Sequence, residues 1–127
     1  MTKPIVVSTT EAPAAIGPYS QAIRLDNLVF TSGQIGLNPA TGELVGPGTE
    51  EQARQAFTNL KAVAQEAGAS LGNVVKFTLF LTDLSEFAQV NAIMQEFVSE
   101  PFPARSTVGV TSLPKGARFE VEAILAI

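Results

Sequence analysis

Thr49–Gly68 reads TEEQARQAFTNLKAVAQEAG and Val74–Thr82 reads VVKFTLFLT, and the different hydrophobic periods of these two segments decide the fold. In the first, Ala53, Ala56, Phe57, Leu60, Val63, Ala64 and Ala67 recur at the i, i+3, i+4 spacing of one buried helical face. Thr49 with Gln52 three residues on forms a capping-box pattern at its start, and Gly68 stands where a left-handed cap belongs. Glu50 and Glu51 fall in the first turn, where the helix dipole favours negative charge, so they read as terminal charges rather than metal ligands. In the second segment Val75, Phe77, Leu79 and Leu81 alternate with Lys76, Thr78 and Thr82, with Phe80 the exception on the polar side. That is the period of a half-buried strand.

Upstream, Leu28–Ser32 is a short apolar run ending at Gly33, a second strand, and Asn38–Gly42 supplies turn chemistry. Downstream, Asp83 or Ser85 caps a second helix whose apolar positions Phe87, Val90, Met94 and Phe97 recur until Pro101 and Pro103 stop it. A strand is expected over Arg105–Val110, then a turn-rich stretch, Thr111–Ala117. Arg118–Ile127 forms the last strand, with Phe119, Val121, Ala123, Leu125 and Ile127 on one side and Glu120 and Glu122 on the other. Strands interleaved with two helices predict an α+β layer in which both helices cover one face of a mixed sheet. Phe80, Ile124 and Ala126 then lie on the uncovered face, and association through it would remove them from water. No repeat, biased tract or long linker divides the chain, which predicts one domain over residues 1–127.

At 127 residues the chain is long enough to bury roughly two thirds of the surface its unfolded form exposes. Its charged share is 16%, below the roughly 25% typical of soluble chains, so part of the apolar excess is expected in a subunit interface. A net charge of -4 supplies no basic field for phosphates, so nucleic acid is not an expected partner. With no Cys and no His, disulfides, thiolate chemistry, the usual imidazole base and the common ligands of zinc, copper and haem are missing. No metal site or cofactor is expected. Met1–Ala15, with a short apolar patch at Ile5–Val7, is too weak for a signal-peptide core, and no run of about 18 apolar residues could span a membrane. A cytoplasmic protein is the expectation.

The remaining acid, base and anion-binding candidates are few. Arg105 lies between Pro103 and the small or apolar residues Ser106–Val110, where a permanent charge needs an anionic partner. That partner is either a substrate carboxylate, which the guanidinium fork fits in bidentate geometry, or an internal glutamate such as Glu120 or Glu122. Glu120 and Glu122 are two apart on one strand face, so mutual repulsion raises one pKa toward a range useful for proton transfer. They also fit a solvated face, or partners for Arg118 and Arg105. Ile16-Gly17-Pro18-Tyr19-Ser20-Gln21 is a rigid turn that delivers Tyr19 either to a pocket or over the edge of the core. Ser32-Gly33-Gln34 exposes backbone N–H groups to an oxyanion or simply ends a strand. Lys76 reads as solvated.

Three segments taken together, IGPYSQA at 16–22, TSGQI at 31–35, and PARS at 103–106 followed by FEVEA at 119–123, resemble the RidA/YjgF family in order and spacing over almost the whole chain. The resemblance implies a chorismate-mutase-like α+β fold, a homotrimer packed into a central β-barrel, and three clefts between subunits. It implies hydrolysis of 2-aminoacrylate or 2-aminocrotonate, released by pyridoxal-phosphate dehydratases, to the 2-oxo acid and ammonia, without metal or cofactor. On matching positions Arg105 would clamp the substrate carboxylate, Glu120 would orient or activate water, and Tyr19, Ser32, Gly33 and Thr107 would line the cleft. Thr107 stands where some members carry Cys, so no thiol nucleophile is available and the mechanism must use water. Two other readings share the same clefts: a ligand-sensing or chaperone-like trimer that binds small carboxylates without turnover, and RNA cleavage, which the net charge of -4 and the lack of His weaken.

Overall fold

The computed structural model describes residues 3–127; Met1 and Thr2, at the start of the segment read for a targeting signal, lie outside them. The elements in order are β1 (Ile5–Val7), β2 (Ala22–Leu25), β3 (Leu28–Thr31), β4 (Gln34–Ile35), α1 (Thr49–Glu66), β5 (Val74–Leu81), α2 (Phe87–Met94), β6 (Ala104–Gly109) and β7 (Phe119–Ala126). One mixed sheet has the order β1-β2-β3-β7-β5-β6, with β4 also on β7. Among the described residues only β5 and β6 run parallel, joined by α2; the other pairings are antiparallel. The expected α+β layer is therefore present, but the two last strands do not pair with each other, because β5 lies between them. Neither helix among the described residues is long and apolar enough to cross a membrane.

Helix α1 buries the face read from its spacing: Ala53, Ala56, Phe57, Leu60, Val63 and Ala64 are fully shielded from solvent. Its start differs from the expected capping box. Gly48 is the N-cap, and its N–H donates to the Glu51 carboxylate at 2.8 Å. Thr49 and Gln52 instead turn inward: the Arg118 Nε donates to the Thr49 hydroxyl, which donates to Glu86, while Gln52 accepts from the Arg118 N–H and donates to the Gly46 carbonyl. The end behaves as read. Gly68 has φ +83°, its N–H donates to the Gln65 carbonyl and that of Ala69 to the Ala64 carbonyl, the paired bonds that close a helix C-terminus.

Phe57 joins the layers, its ring 5.9 Å from Phe77 of β5, 5.6 Å from Phe119 of β7 and 5.3 Å from Phe97 beyond α2. Three of the expected apolar positions depart from the reading. Val75 is exposed and Val74 is buried, because the β5–β7 register shifts between Val74 and Lys76 and a bulge reverses the alternation locally. Ile127 lies beyond the end of β7 and is 40% exposed. Helix α2 stops at Met94, well before the prolines, as i→i+3 bonds to Glu96 and Phe97 tighten the chain and swing Phe97 onto Phe57.

The helices cover one sheet face only. Phe30 and Val108 are 41% and 40% exposed on the other, with Phe80, Ile124 and Ala126 half-buried beside them. The sheet is not closed on itself.

Gly36 sets the closest approach of α1 to the strands: a Cβ there would stand 2.5 Å from the Gln52 carbonyl oxygen and 2.6 Å from its Cα. Both are backbone atoms of α1 and cannot rotate away. Gly36→Ala should lower unfolding free energy by about 1–3 kcal/mol, read as a lower urea midpoint with an unchanged slope.

Candidate active site

The segment before β2 is held by one buried amide. Gln21 accepts from the Thr9 N–H at 2.6 Å and donates from Nε2 to the Thr9 carbonyl at 3.0 Å and the Pro13 carbonyl at 2.8 Å. Those bonds fix the chain entering the Gly17-Pro18-Tyr19 turn, where the Tyr19 N–H donates to the Gly17 carbonyl at 2.8 Å. Tyr19 is half-exposed and faces a pocket rather than packing over the core.

At the end of β3 the Thr31 hydroxyl accepts from the Ala123 N–H at 2.9 Å, taking over a ladder position and freeing Ser32 and Gly33 to leave the strand. The Ser32 N–H donates to the Gln21 carbonyl and its hydroxyl to the Ser20 carbonyl at 2.5 Å, so both of its donors are engaged in holding the Tyr19 turn. Of the N–H groups read as an oxyanion site, Ser32 is thus unavailable, while that of Gly33 has no backbone partner among the described residues. Gly33 lets the Glu120 carboxylate lie against the backbone: a Cβ would stand 2.5 Å from the Glu120 Oε2 and displace that side chain.

Tyr19, Gly33 and Glu120 line one pocket of about 90 Å³ with Gln21, Ile35 and Lys115. Lys115 has φ +58° and its Nζ donates to the Gly42 carbonyl at 2.9 Å, tying two loops of the rim together. Glu120 is half-buried there, and its pKa is raised above the ordinary glutamate range, first by burial and then by the Glu122 charge two residues on. Repulsion from Glu122 was the expected cause; loss of solvent proves the larger. Neither carboxylate pairs with Arg118, which binds Glu86 at 2.6 Å instead.

Arg105 does not join this pocket. It is registered with Phe77, whose side chain lies under the helices, while Glu120 is registered with Phe80 on the opposite face. An internal ion pair with Glu120 or Glu122 is therefore ruled out within one protomer. The guanidinium instead lies 5.0 Å from the Phe87 ring centroid, and Nη1 donates to the Asn91 Oδ1 at 2.5 Å and approaches the Met94 Sδ at 3.7 Å. No partner is found for Nε or Nη2 among the described residues, so one edge of the fork remains open to a carboxylate. Thr107 shares this face, and its hydroxyl is buried without a hydrogen-bond partner. Among the described residues no three acidic, His or Cys side chains group to hold a metal ion.

Sequence reasoning missed Gln21, Phe87 and Asn91 as positioning residues. Asn91 was findable, since it shares the Phe87, Val90, Met94 stripe at helical spacing and is the one polar residue on it. The Gln21 bonds run to carbonyls of an irregular segment and leave no periodic trace.

A small α+β protein with one covered sheet face, an open arginine fork and a carboxylate in a glycine-lined pocket is the class so defined. A family model described as endoribonuclease L-PSP matches residues 9–127. The chain is 50% identical over 122 residues to the 2-iminobutanoate/2-iminopropanoate deaminase of Dermatophagoides farinae, covering 96% of this chain and 95% of that protein. The crystal structure of RidA from the Antarctic bacterium Psychrobacter sp. PAMC 21119 superposes with a TM-score of 0.94 at 50% identity, covering 97% of this chain and 99% of that one. The structure of E. coli TdcF with bound serine does so with a TM-score of 0.91 at 43% identity, covering 97% and 98%. The chain belongs to the RidA/YjgF family.

The Glu120 shift has a defined sign. Because its folded-state pKa is raised, the folded state binds the proton more tightly, and the cost of ionised Glu120 is absent at acid pH and fully present above the folded pKa. A carbon-13 titration of side-chain carboxyls should place Glu120 above the ordinary glutamate midpoint, and Glu122→Gln should lower that midpoint without restoring it, since burial persists.

Proposed function

We propose that this protein is a deaminase that hydrolyses 2-imino acids and their enamine tautomers, including 2-aminoacrylate and 2-aminocrotonate, to 2-oxo acids and ammonia. Support comes from relatives named 2-iminobutanoate/2-iminopropanoate deaminase at close to half identity over nearly the full chain. The observation that carries the reading is the separation of two incomplete half-sites. An open guanidinium edge lies on one face and a half-buried carboxylate with raised pKa on the other, beside an uncovered apolar sheet surface.

Association through that surface, as a homotrimer enclosing a central β-barrel, would hide Phe30, Phe80, Val108 and Ile124 and set Arg105 of one subunit against the Tyr19, Gly33 and Glu120 pocket of the next. Arg105 then clamps the substrate carboxylate, with Thr107 beside it on the same face, its hydroxyl shielded within the protomer. The imine carbon is electrophilic, so orientation and one positioned water suffice. Ionised Glu120 takes a proton from water as oxygen adds to that carbon. Glu120 returns that proton to the imine nitrogen to complete the carbinolamine, then takes the carbinol O–H proton and delivers it to the amine as the C–N bond breaks, so that the C=O of the 2-oxo acid forms, ammonia leaves and Glu120 is ionised again. A non-catalytic carboxylate-binding trimer would need the arginine alone; a carboxylate pushed toward proton-transfer range favours turnover.

Arg105→Ala should lower kcat/KM on the order of 10²-fold or more by removing the clamp, measured as 2-oxo acid release in a threonine dehydratase reaction. Glu120→Gln should lower kcat by roughly 10²–10⁴-fold and abolish the acid limb of the pH profile, which wild type places above the ordinary glutamate range. An unchanged kcat in Glu120→Gln would remove the general-base role. Light scattering should return three chain masses for wild type, and Ile124→Glu should dissociate the assembly and remove activity while far-UV circular dichroism is kept.

A further inference from the structure

The sheet face that no helix covers is not wholly apolar. Between Phe30 and Ile124 it has a hollow of about 210 Å³ whose lining includes Lys76, Thr78 and Glu122. Among the described residues Lys76 is the one cation that a strand places on this face, and Glu120 and Glu122 are the acids. Lys76 is registered with Ile124 and Glu122 with Thr78, so the two lie on a diagonal across β5 and β7, and no ion pair joins them in the protomer. Both are half-buried, and neither has a hydrogen-bond or ion-pair partner among the described residues. Association through this face removes both from water, and a buried charge with no opposite charge beside it is strongly unfavourable. Glu120 belongs to the Tyr19 pocket, which leaves Glu122 as the acid for Lys76.

We infer that Lys76 of one subunit pairs with Glu122 of the next, and that this pair sets the register in which the two half-sites meet; the inference rests on the trimer of the reading above. Placement in the sheet carries it. Lys76 is registered with Ala104, the residue before Arg105, and Glu122 follows Glu120 by two positions on β7. A pair between them therefore brings the arginine strand of one copy against the carboxylate strand of its neighbour, the encounter that the chemistry needs. A slide of two residues along β5 would offer Thr78 to Glu122 and leave both charges buried without partners, so the shifted register is disfavoured. A ring of three copies repeats one junction, in which every Lys76 and every Glu122 is used once. Neither residue touches substrate: both are positioning residues that act through the assembly.

The test is charge reversal followed by mixing, with mass read by light scattering over a dilution series and 2-oxo acid release read beside it. Lys76→Glu and Glu122→Lys, each alone, should raise the midpoint concentration of dissociation by roughly 30-fold or more, with far-UV circular dichroism kept. Mixed one to one, the two variants should reassemble and regain part of the activity, because unlike chains match at two of the three junctions of a mixed ring. The double variant in one chain should assemble as wild type does. A single variant as firmly trimeric as wild type overturns the pair, and so does a mixture of folded variants that stays dissociated, which is the result expected of a pair made within one chain. Should a reversal unfold the chain, Lys76→Met and Glu122→Gln decide instead: each should weaken assembly, and the two together by less than the product of their separate effects, whereas independent effects overturn the pair. A wild type of one chain mass overturns the trimer and the pair with it. A wild-type trimer that hydrolyses no imine overturns the deaminase reading alone, and the masses of the variants still decide the pair.

Discussion

Strand β7 is hydrogen-bonded along both edges, to β3 and β4 on one side and to β5 on the other, so its side chains have only the two sheet faces to occupy. Strict alternation follows. Phe119, Val121, Ala123 and Leu125 go under α1, where Phe57 packs on Phe119, and Glu120 and Glu122 are forced to the face that no helix covers. One backbone constraint thus builds the core and places the carboxylate. A one-residue slip of β7 would put two glutamates beneath α1 and four apolar side chains in water, so the register is strongly determined.

Around that strand, irregular segments are held mainly by neutral amides rather than ion pairs. Gln21 holds the Tyr19 turn, Asn59, fully buried, donates to the Leu37 carbonyl at 2.9 Å, and Gln52 bridges Gly46 and Arg118. An amide carries donor and acceptor together and can be buried without stranding a charge, which suits it to loops whose carbonyls have no strand partner. Glycines do the complementary work by permitting close approach, Gly36 to α1 and Gly33 to Glu120. The Gln21 amide thus staples from inside the loop that brings Tyr19 to the pocket.

The division of charge between the two faces has its own logic. Arg105 within reach of Glu120 would form an internal pair, and both groups would be satisfied without ligand. Held apart, the guanidinium is steadied by the Phe87 ring and the Asn91 amide while keeping an open edge, and the carboxylate keeps a raised pKa because no cation offsets its burial. Neutral and aromatic neighbours position a charge without neutralising it.

Hydrophobic period and helix-end chemistry are local properties, and they made α1, its Gly68 cap, the alternation of β7 and the α+β layer legible from the chain alone. The same alternation placed Glu120 and Glu122 together, and motif spacing singled out Arg105, Tyr19 and Gly33. Local pattern failed where partners are distant in sequence. The bulge at Val74 arises from pairing with β7, Thr49 and Gln52 abandon the cap because Arg118 and Glu86 reach them from the far end of the chain, and β1 and β2 are too short to show a period. Which face Arg105 occupies relative to Glu120 depends on both strands being registered against β5, a long-range pairing that no stretch of either strand encodes. The kinds of group available for chemistry were therefore written in the sequence, whereas their separation onto opposite faces was decided by the sheet, since only strand pairing converts sequence parity into direction in space.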